Sequence, residues 1–238
     1  MSVFSPVTSE STADLLADDL RAAILDGRIA PGERLIEMDL AAQFATSRAP
    51  VREAIRLLAG ERLVQLRRNR GAVVVTPTLE DVLEVYAIRL SLGAIALAHA
   101  VSAVESGTLD PMTDPRFDEA RVLLDRMRDP RVRADDSAMV EADLAVQAAT
   151  FALSGLPRIC SALSATENEI RFFVTALDIT YDSLDRDAQI DHHQRVLDAI
   201  ASADAPAAIE TWESHIERTV AEFTHESPQV SPAQEGTP

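Results

Sequence analysis

The chain has 238 residues, 47% hydrophobic and 26% charged, enough to bury the core of one large domain or two small ones. All 22 basic residues are arginine, and the missing lysine excludes chemistry that needs its amine, such as a Schiff base to pyridoxal phosphate or the lysine of a phosphate-binding P-loop. The formal net charge of −17 argues against nucleic acid as a partner only on average: residues 1–77 hold ten arginines and ten acids, whereas residues 78–238 hold twelve arginines and twenty-nine acids. Residues 44–77 carry seven arginines against Glu53 and Glu61, a compact basic patch on an otherwise acidic chain.

In chain order, residues 1–10 are rich in Ser, Thr and Pro with little to bury, and a flexible N-terminus is expected. Ser11 is placed to cap a first helix with Leu16, Leu20, Ala23 and Ile24 on one face, ended by Gly27. A turn over residues 30–35 leads to a short helix, Glu37 to Phe44. Ser47 then caps a third helix with Pro50 in its first turn and Gly60 near its end. Two β-type runs, residues 63–66 and 72–76, joined by residues 67–71 with Asn69 and Gly71, read as a hairpin. Three small helices and a hairpin predict a winged helix-turn-helix over residues 11–77.

Pro77 punctuates the chain, and Thr78 with Asp81 predicts a capping box at the start of a long helix, residues 79–103. Further helices are expected over residues 114–128, 135–154, 157–178, 184–202 and 204–224. The fold class is therefore mainly α: the N-terminal winged helix-turn-helix, an all-α bundle over residues 78–226, and a disordered tail over residues 227–238. Cys160 is the only cysteine, so neither an intrachain disulfide nor a cysteine-cluster metal site is possible. No leader pattern and no long uninterrupted apolar run is visible, which predicts a cytoplasmic protein without a membrane partner.

The third helix carries the most specific chemistry. Val51, Ala54, Ile55 and Leu58 form one apolar stripe, and Arg48, Arg52 and Arg56 sit four apart on another face. Guanidinium groups so spaced suit bidentate bonds to guanine and clamping of phosphates, and Ser47, Arg48 and Ala49 at the helix start would reach deepest into a major groove. Arg67, Arg68 and Arg70 beside Gly71 would contact the backbone or a minor groove from the hairpin. Three arginines in a row are ordinarily a solvated face; the preceding helix and the basic hairpin tip the balance toward double-stranded DNA.

Residues 27–35 (GRIAPGERL), 40–64 (LAAQFATSRAPVREAIRLLAGERLV) and 69–74 (NRGAVV) resemble the GntR family of bacterial transcriptional regulators. The resemblance implies DNA binding through Arg48 and Arg52, with Ser47, Ala49, Arg70 and Gly71 beside them. Family members often have Thr in place of Ala49 and Gly in place of Ala45. The bundle resembles the FCD type of effector domain, in the FadR-like branch, through residues 85–92, 141–155 and 191–219, and the missing lysine excludes the aminotransferase-fused branch. This implies a homodimer on a palindromic operator, acting as a ligand-responsive repressor and not as an enzyme. It also implies a divalent metal such as Zn²⁺ in the bundle centre, held by Asp143, His193 and His215, with Gln147 standing where the family has a further histidine.

The helical faces can be read separately. His193 shares a face with Ile190, Leu197 and Ile200 and points inward, whereas His192 falls a hundred degrees round with Arg195 and Ala199. Two imidazoles, a carboxylate and an amide make a weaker site than three imidazoles, and the alternative is a hydrogen-bonded core without metal. Arg89 lies among Val82, Tyr86, Gly93 and Ala96, so its inward charge needs an anion. An internal acid or the carboxylate of a small organic acid would serve, with Gln147 beside it. The family commonly has Glu at position 93, so Gly93 is expected to open space there. The competing readings are an architectural DNA-binding protein, with Arg89 neutralised internally, and a metal-dependent enzyme acting on a carboxylate, for which no acid–base pair is evident.

Overall fold

The computed structural model describes residues 11–67, 71–177 and 186–226. The expectations for residues 1–10 and 227–238, and for Arg68 and Arg70, lie outside the described residues. The chain divides into two compact units, Met1–Pro77 and Thr78–Pro238.

In the first unit α1 (Thr12–Leu25) starts in a capping box, Ser11 accepting from the Asp14 amide and Asp14 from the Ser11 amide. β1 (Arg34–Leu35), α2 (Glu37–Gln43), α3 (Arg48–Gly60), β2 (Val64–Arg67) and β3 (Gly71–Val74) follow. α1 packs on α3 through Leu16, Leu20 and Ile24 against the stripe Val51, Ala54, Ile55 and Leu58, all buried. β3 lies between its neighbours in an antiparallel sheet of order β1-β3-β2, with Gln65 and Arg34 both opposite Val73. The two residues of β1 were expected as turn; pairing to the wing makes them a strand. Gly71 has φ +78°, and a Cβ there would come within 3.1 Å of the Leu35 carbonyl oxygen, so glycine serves both the turn and the close approach. Ser47 occupies the N-cap position of α3 but makes no side-chain capping bond, leaving its hydroxyl free for another contact.

Between α2 and α3 the chain reverses through Ala45 at φ +49°. The Thr46 amide donates to the Ala41 carbonyl at 2.9 Å and the Ala45 amide to the Ala42 carbonyl at 3.3 Å, a Schellman turn whose left-handed position is held here by alanine.

The second unit consists of α4 (Leu79–Glu105), α5 (Pro115–Met127), α6 (Pro130–Arg133), α7 (Asp136–Ala152), α8 (Pro157–Ser164), α9 (Glu167–Ala176), α10 (Arg186–Ala201) and α11 (Ala205–Glu226). The capping box of Thr78 and Asp81 opens α4 as the sequence predicts. By length and composition α4 is apolar enough to cross a membrane; here it packs along α11, with Val82, Val85, Ala96, Leu97 and Val101 in the core. The single turn α6 follows a DP pair read as a breaker: Asp129 accepts from the Arg131 amide and Pro130 takes the first position.

The helix expected over residues 157–178 is two. At the break the Thr166 hydroxyl donates to the Leu163 carbonyl at 2.6 Å, the local side-chain bond that competes with continuing a helix. The periodicity of Leu163, Ile170 and Phe173 runs through this point, so the apolar pattern carried no sign of the break.

Candidate functional site

Two clusters hold the residues that the sequence singles out. In the first unit Arg48, Arg52 and Arg56 stand exposed on α3 and line, with Arg67 and Gly71 of the wing, Ile36 before α2 and Glu37 and Met38 in its first turn, an open groove of about 630 Å³. Ala49 and Ser47 are exposed at the head of the same helix. Arg52 is held in a two-bond fork by Glu37, Nε donating to Oε1 at 2.9 Å and Nη2 to Oε2 at 2.7 Å. That hydrogen-bonded partner lowers the Glu37 carboxyl and raises the Arg52 guanidinium from their ordinary values. Arg56 pairs with Glu53 at 3.2 Å. Glu37 is the residue that reading the arginines alone missed, because its contact with Arg52 spans two helices.

In the second unit Arg89, Asp143, Gln147, His193 and His215 converge from α4, α7, α10 and α11. Arg89 is 2% exposed, and among the described residues no carboxylate forms an ion pair with it. Its Nη1 donates to Thr166 Oγ1 at 2.7 Å and to the Leu163 carbonyl at 3.2 Å, and its Nη2 to Gln147 Oε1. The break between α8 and α9 thus supplies two of its acceptors, one of them a carbonyl at the negative end of α8. Burial still lowers the guanidinium from its ordinary value.

Gln147 Nε2 donates to Asp143 Oδ2 at 2.7 Å, and Asp143 Oδ1 lies 2.6 Å from His193 Nε2. Burial raises the Asp143 carboxyl, but the bond to His193 and the positive charges around it outweigh burial and leave it lowered. His215 is pushed down to about 3, chiefly by burial, with Asp143 opposing. A cavity of about 20 Å³, room for one water, lies among Tyr86, Arg89, Asp143, Gln147, Gln189 and His215. The Gln189 side-chain oxygen Oε1 at its wall is buried with no hydrogen-bond partner among the described residues.

Two expectations are corrected. His192 does not face away from the core: it is 1% exposed and stacks on His215 with centroids 4.3 Å apart. α10 is covered on more than one face, by α11, α4, α5 and α7, so a hundred-degree rotation exchanges one buried surface for another. Burial strongly lowers this imidazole, and its Nε2 has no hydrogen-bond partner among the described residues. Gly93 does not open space either. The Trp212 indole fills it, Nε1 donating to the Arg89 carbonyl at 3.2 Å, and a Cβ at position 93 would lie 2.6 Å from Cε2.

The metal set is brought together, but its donors do not fit an ion. Both Asp143 oxygens are engaged by neighbours, residue 147 turns an N–H toward the carboxylate, and no group of three His, Cys, Asp or Glu among the described residues is arranged to hold a metal.

Residues 12–74 match the family described as bacterial regulatory proteins, gntR family, and residues 84–218 match the FCD domain. The chain is 42% identical over 86 residues to the gluconate operon transcriptional repressor of Bacillus subtilis (strain 168), a match covering 36% of this chain and 35% of that protein. It is 24% identical over 227 residues, 95% of each chain, to a protein of Paenarthrobacter nicotinovorans assigned to repression of a D-xylose utilization operon. Among solved structures, one described as a transcriptional regulator GntR from Rhodococcus sp. RHA1 superimposes with a TM-score of 0.73 at 28% identity, covering 90% of this chain and 98% of that one. The chain spans about a third of the length of the gluconate operon repressors it matches. With the FCD match covering more than half of its residues and the gntR match the helical head before it, the chain belongs to the gntR family of bacterial regulatory proteins, in the branch that carries an FCD domain.

Proposed function

We propose that this protein is a ligand-responsive transcriptional repressor that binds double-stranded DNA as a homodimer and releases it in answer to a small organic acid. The observation that carries the DNA half is the exposed row Arg48, Arg52 and Arg56, set beside the wing in a chain of net charge −17. Ser47 and Ala49 are assigned to the groove floor, and Arg68, Arg70 and Gly71 to the wing contact. A symmetric dimer would read a palindrome, one α3 in each of two successive major grooves. The relatives' roles at a gluconate and a D-xylose operon support repression as the output.

The effector half rests on Arg89, a buried guanidinium met among the described residues only by neutral acceptors. An architectural protein would need that charge neutralised by an internal acid; three neutral acceptors favour a site where a ligand carboxylate takes the guanidinium in a fork. The water-sized cavity has to open for it, which couples binding to the packing of α9 and α11. The test is a thermal-shift screen of the full chain against small carboxylates, then fluorescence anisotropy on a labelled operator with and without each hit. Stabilisation by a carboxylate that also weakens operator binding is the expected result. Operator binding that no carboxylate alters would leave the architectural reading in its place.

A further inference from the structure

We infer that the cavity around Arg89 works without a metal ion, and that Gln147 is the residue that makes it so. Gln147 stands one turn beyond Asp143 on α7, both side chains buried, and its amide is used at both ends. The N–H side donates to Asp143 Oδ2 at 2.7 Å and the carbonyl accepts from Arg89 Nη2. Arg89, Gln147, Asp143 and His193 therefore form one hydrogen-bonded chain, closed by the 2.6 Å contact of His193 Nε2 with Asp143 Oδ1.

Each link removes something an ion requires. A cation needs lone pairs, and residue 147 offers the carboxylate's neighbourhood N–H donors. Asp143 already carries a contact on each oxygen, from Gln147 on one and His193 on the other, so an ion would compete with both neighbours for its remaining lone pairs. The Gln147 oxygen, the one lone-pair donor on that side chain, is spent on Arg89; turning it to a metal would strand a buried guanidinium N–H without an acceptor. The uncompensated charge of Arg89 also lies beside this space, and a second cation in the same buried surroundings would be repelled by it.

Histidine at 147 reverses these terms. It releases Arg89, turns a ring nitrogen toward Asp143, His193 and His215, and completes a set of three imidazoles and one carboxylate that suits zinc. The wild-type amide leaves an anion with one receptor, the Arg89 guanidinium, on which a carboxylate oxygen would replace the Gln147 carbonyl; this consequence rests on the ligand response proposed above.

The test compares the full-length protein with Gln147→His, both purified from zinc-supplemented cells without chelator. Metal content is measured by mass spectrometry, and melting is followed as purified, with EDTA and with equimolar Zn²⁺. The parent is expected to carry zinc far below stoichiometry and to melt at the same temperature in all three conditions. Gln147→His is expected to carry stoichiometric zinc, with a melting temperature raised by zinc and lowered by EDTA. Stoichiometric zinc in the parent, or parent melting that EDTA lowers, overturns the proposal; a folded Gln147→His that takes no zinc overturns the part assigned to Gln147. Should that variant fail to fold, a cobalt(II) titration of the parent decides: no visible tetrahedral bands are expected, and their appearance overturns the proposal. None of these readouts involves a carboxylate. A parent that binds a carboxylate only when zinc is present would overturn the metal-free cavity while leaving the ligand reading standing.

Discussion

The indole of Trp212 fills the space beside Gly93, with its Nε1 donating to the Arg89 carbonyl one turn earlier on α4. The absent side chain and the largest one in the bundle are a single packing unit, and Trp212 also meets Phe151 edge-on with ring centroids 5.2 Å apart. Gly93→Ala is expected to destabilise the second unit by about 1–3 kcal/mol, the usual cost of overpacking, and Gly93→Glu by more. In chemical denaturation, Trp212→Ala should relieve part of the Gly93→Glu penalty. Strictly additive losses in that double variant would mean the two positions are not coupled.

Ala45 holds a left-handed position that glycine occupies at little steric cost. Ala45→Gly is expected to stabilise the first unit by about 1 kcal/mol, read as a shift of the denaturation midpoint at constant slope. A loss of stability would place the strain elsewhere in the turn.

The Arg52–Glu37 fork aims one guanidinium along the α3 groove. Arg52→Ala should weaken operator binding by roughly ten- to a hundredfold, the size of one lost bidentate contact. Glu37→Gln should leave melting nearly unchanged, because Arg52 is exposed and Glu37 only half-buried, while lowering discrimination between the operator and a scrambled duplex. Equal operator affinity of Arg52→Ala and the parent in anisotropy titrations would remove Arg52 from the interface.

Thr166 supplies one of the three acceptors that Arg89 meets. Thr166→Val keeps the volume and removes that bond, and a loss of about 1.5–3 kcal/mol is expected, as for hydrogen bonds to charged groups. Thr166→Ser should restore most of it. If valine is tolerated without loss, Arg89 draws its stabilisation from another source.

His192 and His215 are held neutral by burial, His215 down to about 3 from an ordinary 6.5. Below about pH 6.5 the unfolded chain binds protons at these rings that the folded protein refuses, so stability is complete above that value and falls as the solution is acidified. Each imidazole contributes a slope of about 1.4 kcal/mol per pH unit within its window. The lowered Asp143 carboxyl adds a loss of the same sign in more acidic solution. Melting should therefore drop between about pH 7 and about pH 5, with a smaller slope in His215→Phe; a flat profile in the parent would contradict neutral buried rings.

Much of this was legible in the residues. The cap at Ser11, the capping box at Thr78, the apolar stripe of α3 and the arginine row on its other face all depend on contacts within a few positions of one helix, which spacing encodes. The break at Thr166 was not legible, because a threonine mid-pattern ends a helix only when its hydroxyl finds a better use, and Arg89 lies 77 residues away. His192 was misplaced because a helical wheel assumes one buried face and α10 has more. The two residues of β1 needed β3 beside them before they were a strand at all.

The amino-acid sequence alone determined the two-part, mainly helical architecture and the arginine row of α3, which follow from periodicity, charge placement and short-range caps, and the family, which follows from the resemblance of its motifs. Tertiary structure decided how the buried charge of Arg89 is met, what fills the space at Gly93, and which way the Gln147 amide faces. Those outcomes are set by groups that arrive from different helices, and a buried hydrogen bond takes whichever partner the packing brings within reach.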